Sequence, residues 1–317
     1  PMKRVADPLR LMGAQIDGRE GGNFAPISIT GSKLKGITYE IPMASAQVKS
    51  AILLAGLYAS GQTRVAEPER SRDHTEKFLK FFGADVTQKG PTVSIRAGKS
   101  LKARSFAIAG DVSSAAFFMT AAVLVPRSKI VFRSVLNNPT RTGVLSVLKR
   151  MGVKFVSANG AGVRGTSGPE PTANFTLASQ KGHLKAFEIK RKELPSLIDE
   201  IPILCVLATQ AKGESVIHDA DELRVKESDR IESILGLLKP MGADIRVRGN
   251  TIIIKGPAPL RGAVVNSKKD HRIAMSAVVA GLIANGETVV EDIECIDTSF
   301  PNFFELLRSV GGSFQVT

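Results

Sequence analysis

An internal repeat constrains this chain more than any other feature. An apolar helix end, a glycine and a short alternating strand recur as Leu11-Met12-Gly13-Ala14-Gln15-Ile16 and Phe81-Phe82-Gly83-Ala84-Asp85-Val86. They return as Arg150-Met151-Gly152-Val153-Lys154-Phe155, as Pro240-Met241-Gly242-Ala243-Asp244-Ile245 and, more weakly, as Ser309-Val310-Gly311-Gly312-Ser313-Phe314. The five glycines, at 13, 83, 152, 242 and 311, are spaced by 70, 69, 90 and 69 residues. Glycine just after a helix supplies the left-handed residue that closes it, so each copy predicts helix, cap and strand. Repeated units of this kind bury their faces against their neighbours.

A second helix recurs between these marks, rich in Ala and Leu and followed by a turn and a β-branched strand. The copies are Val48–Tyr58 with Gln62–Val65, Ile201–Ala211 with Glu214–Ile217, and Ile273–Ala284 with Glu287–Val290; Ala115–Val125 with Ile130–Phe132 is divergent. Each unit therefore reads strand, helix, strand, helix, strand, strand, an α/β pattern. The apolar helices are expected at the centre and the glycine-capped ones at the periphery. The unit holding Gly152 is longer by roughly 20 residues, and the excess is placed in Ala158–Gly182, whose Gly, Ser, Pro and Thr predict a loop or hairpin. A strand at Ser105–Ala109 leading into Gly110-Asp111-Val112-Ser113-Ser114 marks a domain junction, giving domains 1–109 (about one and a half repeats) and 110–317 (three repeats). The helix Ala6–Met12 enters the repeat halfway, so further sequence upstream is expected.

The net charge is +13, from 43 Lys and Arg against 30 Asp and Glu, but the basic residues are dispersed. Without Trp and with two Tyr, stacking platforms for bases are scarce, so small multivalent anions are favoured over nucleic acid. No apolar run reaches the roughly 18 residues of a membrane span. Cys205 and Cys295 do not make a disulfide framework, and a reducing cytoplasm is the expected setting.

The charge cluster Leu223–Arg230, reading LRVKESDR, precedes the apolar stripe Ile231, Ile234, Leu235, Leu237 and Leu238. It is expected at the first turn of a helix, with Lys226 and Arg230, four apart, on one face. Taken alone it reads as a solvated helix start. The repeat places it among Ser45-Ala46-Gln47, Arg72-Asp73-His74, Asp111–Ser114, Thr140–Thr142, Asp199-Glu200 and Asp270-His271-Arg272, all at helix starts. Helix N-termini converging on one face, several with Arg or Lys, make an anion site.

These motifs, with Met43–Ser50, Ser71–Glu76, Pro195–Asp199 and Ser299–Pro301, resemble 5-enolpyruvylshikimate-3-phosphate synthase along the whole chain. The resemblance implies the enolpyruvyl transferase architecture: an inside-out α/β barrel-like fold (α/β, α+β) of two domains, each of repeated βαβαββ units facing an interdomain cleft. It implies transfer of the enolpyruvyl group of phosphoenolpyruvate to the 5-hydroxyl of shikimate 3-phosphate, releasing phosphate, in a monomer with no metal or cofactor.

By resemblance, Glu227 is the proton-transfer carboxylate, Asp199 the carboxylate and candidate base at the shikimate hydroxyls, and Lys226 a substrate contact beside them. Arg230 and Arg272 are the phosphoenolpyruvate clamps, with Gln47 alongside. Ser45, Ala46, Gln47 and Arg72 hold the shikimate phosphate, Ala46 only through its backbone. Glu222 stands where many members have Asn, and Thr298 where many have Lys. The family's N-terminal Lys-Ser pair, its Asn-Ala-Gly-Thr loop and an Arg are not in this sequence. Low activity of the chain alone, restored by an N-terminal companion fragment, is therefore expected. The alternatives are the sister transferase acting on UDP-N-acetylglucosamine and a non-catalytic anion- or nucleic-acid-binding protein on the same repeat.

Overall fold

A computed structural model describes residues 1–159, 168–180 and 182–316. The chain divides into two compact units, one of residues 1–108 with 168–170, the other of 109–159, 171–180 and 182–316. Residues 168–170 thus belong with the first unit, which a single cut at 109 and 110 does not anticipate. The His74 ring lies 2.6 Å from Glu170, and Gly168 packs beside Ala107 and Phe106.

The first unit contains one whole repeat. Strand Thr38–Glu40 pairs parallel with Gln62–Ala66, which pairs antiparallel with Thr92–Arg96, itself paired with Asp85–Lys89. Helix Ala46–Gly56 joins the parallel pair, and helix His74–Phe81 connects Gln62–Ala66 to Asp85–Lys89. The half repeat before it is helix Lys3–Leu11 and a hairpin of Gln15–Gly18 with Phe24–Thr30. Met12, Ile52, Leu53, Val65 and Ile95, all buried, fill one core.

In the second unit the topology recurs. Strand Ala211–Ile217 pairs parallel with Leu184–Lys185 and Glu188–Ile189, and antiparallel with Thr251–Gly256, which carries Asp244–Arg248. Lys129–Leu136, Thr172–Ala178 and Phe155–Asn159 form a three-stranded antiparallel sheet. Of the expected loop or hairpin Ala158–Gly182, Thr172–Ala178 is a strand; residues 160–167 and 181 lie outside the described residues. Val264–Asn266 pairs parallel with Val289–Glu291.

Helices Val112–Leu124, Ile201–Thr209 and His271–Gly281 pack on one another. All nine residues of Ile201–Thr209 are buried. An all-round apolar helix has no face to give to water, so it takes the centre. Gly143–Arg150, Arg230–Leu238 and Phe303–Ser309 each keep one face exposed.

All five repeat glycines have positive φ, from 83° at Gly152 to 103° at Gly13. Gly262 is required for a second reason: a Cβ there would sit 2.0 Å from the Glu287 carbonyl oxygen.

Two expectations fail. Ser105–Ala109 is not a strand; the sheet contact there is an isolated bridge, Gly110 with Val135. After Gly311 no strand forms, as Gly312 and Ser313 interrupt the alternation. Among the described residues no helix is long and apolar enough to cross a membrane, and both cysteines are free.

Candidate functional site

In the second unit, four helix starts and the turns before them bring charged side chains together. Asp229 caps helix Arg230–Leu238, accepting from the N–H groups of Ile231 and Glu232 at 3.1 and 3.2 Å. Asp270 caps His271–Gly281, accepting from Arg272 N at 2.9 Å, and Asp111 caps Val112–Leu124 through Ser113 N and Ser114 N. Each cap satisfies N–H groups that the helix leaves unpaired. Asp199 lies in the short 3-10 turn Ile198–Glu200 that runs into Ile201–Thr209.

Arg230 is the hub. Its side chain has 0% exposure, and each guanidinium nitrogen meets a carboxylate. Nε donates to Asp270 at 2.9 Å, Nη1 to Asp199 at 3.3 Å and Nη2 to Glu227 at 2.5 Å. Asp270 is equally buried, whereas the Glu227 side chain is 48% exposed. Burial works against the Arg230 charge, but Asp270, Glu227 and Asp199 outweigh it and hold the guanidinium above its ordinary value. Burial likewise pushes Asp270 up, and Arg230 more than reverses this, so Asp270 stays below the usual carboxylate range.

Arg272 reaches the same carboxylate: Nη1 donates to the Asp199 carbonyl at 3.3 Å and Nη2 lies 3.6 Å from Asp199 Oδ2. Its Nε is buried without a hydrogen-bond partner among the described residues. Next to Asp199, Glu200 is buried, and desolvation, then the Asp199 charge, raise it above the usual carboxylate range. Burial, followed by Arg272, lowers His271, so the imidazole favours its neutral form. Arg141 ties Asp111 (2.7 Å) to Ser113 (2.5 Å) at the neighbouring helix start.

Lys226 departs from expectation. The helix begins at Arg230, and Lys226 ends the 3-10 turn Asp221–Val225 with extended backbone, φ −87° and ψ −156°. It therefore does not share a helical face with Arg230; its ammonium pairs with Glu222 at 2.7 Å. The reason is the Asp229 cap, which fixes the first helical turn after the charge run. Arg224 and Ser228 support that turn, Arg224 by bonding Asp229 and Asn250, Ser228 by donating to Asp270. Thr298 turns back onto the Cys295 carbonyl at 2.6 Å.

The remaining expected residues lie in the first unit. Ser45 caps helix Ala46–Gly56, accepting weakly from Val48 N at 3.4 Å. Ala46 and Gln47 open that helix, and the Gln47 side-chain oxygen accepts from Arg4 at 2.8 Å. Arg72 follows Ser71, which is buried and bonded to Glu67.

From the sequence, Asp199 and Glu200 read as either caps at a cleft or acid–base groups, whereas Asp270 reads only as a helix-start residue. The signal for Asp270 was present: an Asp directly before His-Arg at a cap position, equivalent to Asp111 and Asp199 in the other repeats.

The family model described as EPSP synthase (3-phosphoshikimate 1-carboxyvinyltransferase) matches residues 1–307. The 3-phosphoshikimate 1-carboxyvinyltransferase of Shouchella clausii is 50% identical over 310 residues, covering 98% of this chain and 71% of that protein. That of Bacillus thuringiensis is 50% identical over 311 residues with the same coverage. An Acinetobacter baumannii EPSP synthase structure superposes with a TM-score of 0.89 at 44% identity, covering all of this chain and 72% of that one. The enolpyruvyl transferase NikO from Streptomyces tendae, at 18% identity and a TM-score of 0.78, shares the fold. Sequence and fold agree: the chain belongs to the EPSP synthase (3-phosphoshikimate 1-carboxyvinyltransferase) family.

Proposed function

We propose that this chain transfers the enolpyruvyl group of phosphoenolpyruvate to the 5-hydroxyl of shikimate 3-phosphate, with inorganic phosphate as the leaving group, in aromatic amino-acid biosynthesis. The family match favours this over the UDP-N-acetylglucosamine transferase. The reaction needs a proton delivered to the methylene carbon of phosphoenolpyruvate and one taken from the attacking hydroxyl. The resulting tetrahedral adduct then loses phosphate from the former C2 and a proton from the new methyl group. Acid–base groups and fixed cations are both required.

The observation that carries the proposal is the Arg230 hub, which holds Asp199 and Glu227 on one guanidinium. Glu227, about half exposed, is the proton-transfer group at the enolpyruvyl carbon, and Asp199 takes the hydroxyl proton. Arg272 binds phosphoenolpyruvate; its Nε, unpartnered among the described residues, and its long 3.6 Å contact to Asp199 leave donors for a carboxylate or phosphate. Arg230 joins it by exchanging the exposed Glu227 for substrate, which also frees Glu227 for proton transfer. Lys226 contacts the substrate after leaving Glu222. Ser45, the Ala46 N–H, Gln47 and Arg72 hold the shikimate phosphate. Metal and organic cofactors have no part in this scheme.

The test is phosphate release from phosphoenolpyruvate by the intact enzyme. It is expected to depend on shikimate 3-phosphate; release that ignores shikimate 3-phosphate but responds to UDP-N-acetylglucosamine would favour the sister reaction.

A further inference from the structure

Helix Ala46–Gly56 carries a lysine inside the first unit. Lys49 is 1% exposed, and its ammonium lies 2.7 Å from Glu67 Oε2 and 2.8 Å from Glu76 Oε1, each carboxylate side chain being 2% exposed. The Glu76 contact is off the hydrogen-bonding direction, so it is ionic rather than directional. One ammonium thus serves two buried carboxylates. Replacing buried ion pairs by well-packed apolar residues is often neutral or stabilising. A role other than bulk packing is therefore sought in what the three groups connect.

Each group anchors a segment next to an expected phosphate ligand. Lys49 is in the first turn of the helix capped by Ser45, its N–H bonded to the Ser45 carbonyl at 3.0 Å. Glu67 accepts from the Ser71 N–H at 3.5 Å and from the Ser71 hydroxyl, directly before Arg72. Glu76 is in the first turn of His74–Phe81, and Thr75 there meets Ser50 of the first helix at 2.6 Å. Asp73, between Arg72 and that turn, is held by Arg70 at 2.6 Å and Lys77 at 2.5 Å. Two chain segments, 45–47 and 71–72, are thereby tied to one buried ion cluster.

We infer that Lys49, with Glu67 and Glu76, is a positioning residue for phosphate recognition: the cluster sets the separation of segment 45–47 from segment 71–72, so that both engage the phosphate of shikimate 3-phosphate together. The inference rests on the proposed reading of Ser45, Ala46, Gln47 and Arg72 as the phosphate site.

Calorimetric titration of the intact enzyme with shikimate 3-phosphate tests it. Lys49→Met is expected to weaken binding about tenfold, since small misplacements of binding groups are costly, and Lys49→Arg to restore most of the affinity. Lys49→Met leaves two buried carboxylates without a countercharge and risks unfolding. The neutral set Lys49→Met with Glu67→Gln and Glu76→Gln removes that imbalance; it is expected to regain the wild-type melting temperature without regaining affinity. Wild-type affinity in a folded Lys49→Met protein, or affinity that returns with stability in the neutral set, would overturn the inference. Arg72→Met separates the two levels. If it weakens binding and Lys49→Met does not, the inference alone fails; if wild type shows no binding, or Arg72→Met binds as wild type does, the reading of the phosphate site fails.

Discussion

Arg230 Nε donates to Asp270 Oδ2 at 2.9 Å, and neither side chain has any exposed surface. Both charges have exchanged water for buried partners, and removing Asp270 leaves the buried Arg230 charge with only Asp199 and Glu227 to offset it. Asp270→Ala is expected to cost about 3–5 kcal/mol, the range for breaking a buried ion pair, with the helix cap to Arg272 lost as well. A urea midpoint displaced by less than one kcal/mol equivalent would show that the cluster rearranges to cover the loss.

The same pair gives a pH dependence of definite sign. Asp270 is lowered in the folded state, so its contribution is complete above the ordinary carboxylate value of 3.8 and is lost as pH falls through the lower folded value. Glu200 is raised, so the folded state holds its proton more tightly and loses stability as pH rises from 4.5 through the raised value. Glu200→Gln is therefore expected to stabilise the protein at neutral pH, with the gain vanishing in acid. The groups facing Glu200 are Asp199, Arg272, Ser113 and Arg141. Melting temperatures of Glu200→Gln and wild type across pH 4 to 8 check this; a constant offset would rule out titration of Glu200 as the cause.

The helix starts and the glycine caps were legible because both are local. A cap needs one Asp, Ser or Gly at one position, and the repeat shows that position several times. What was not legible depended on partners distant in sequence. Arg230 reads as an exposed first-turn arginine until Asp199, at the preceding helix start, and Asp270, from the next repeat, are seen to close on it. Lys49 looks like the polar face of its helix, since Glu67 and Glu76 are supplied by other elements. Lys226 was misplaced because a run of charges gives no apolar mark, and the Asp229 cap decides where the helix begins. Ser105–Ala109 has strand composition but makes a single bridge beyond its end, so pairing overrides propensity there.

Lys226 and Glu222 pair at 2.7 Å and are partly exposed. Ion pairs of this kind contribute about 0–1 kcal/mol, so Glu222→Asn is expected to leave stability nearly unchanged while releasing Lys226. On the proposed reading of Lys226 as a substrate contact, shikimate 3-phosphate then binds several-fold more tightly. Calorimetry on the variant decides; unchanged or weaker binding would count against that role.

Arg272 differs from Arg230 in having a buried Nε without a partner among the described residues. Arg272→Lys keeps the charge but loses the planar fork. Steady-state kinetics of the intact enzyme should show a raised KM for phosphoenolpyruvate and an unchanged KM for shikimate 3-phosphate. A change confined to shikimate 3-phosphate would place Arg272 on the wrong substrate.

The Arg230 hub presents Glu227 as its one well-exposed carboxylate, at 48%, and proton transfer by Glu227 is the centre of the proposed chemistry. Glu227→Gln preserves shape and removes the proton-transfer group. Turnover of the intact enzyme carrying Glu227→Gln, measured beside its affinity for shikimate 3-phosphate, is the most direct test. Turnover lower by about two to four orders of magnitude with affinity retained is the predicted result, in line with the contribution of a positioned general acid or base. Near-normal turnover in that variant would contradict the account.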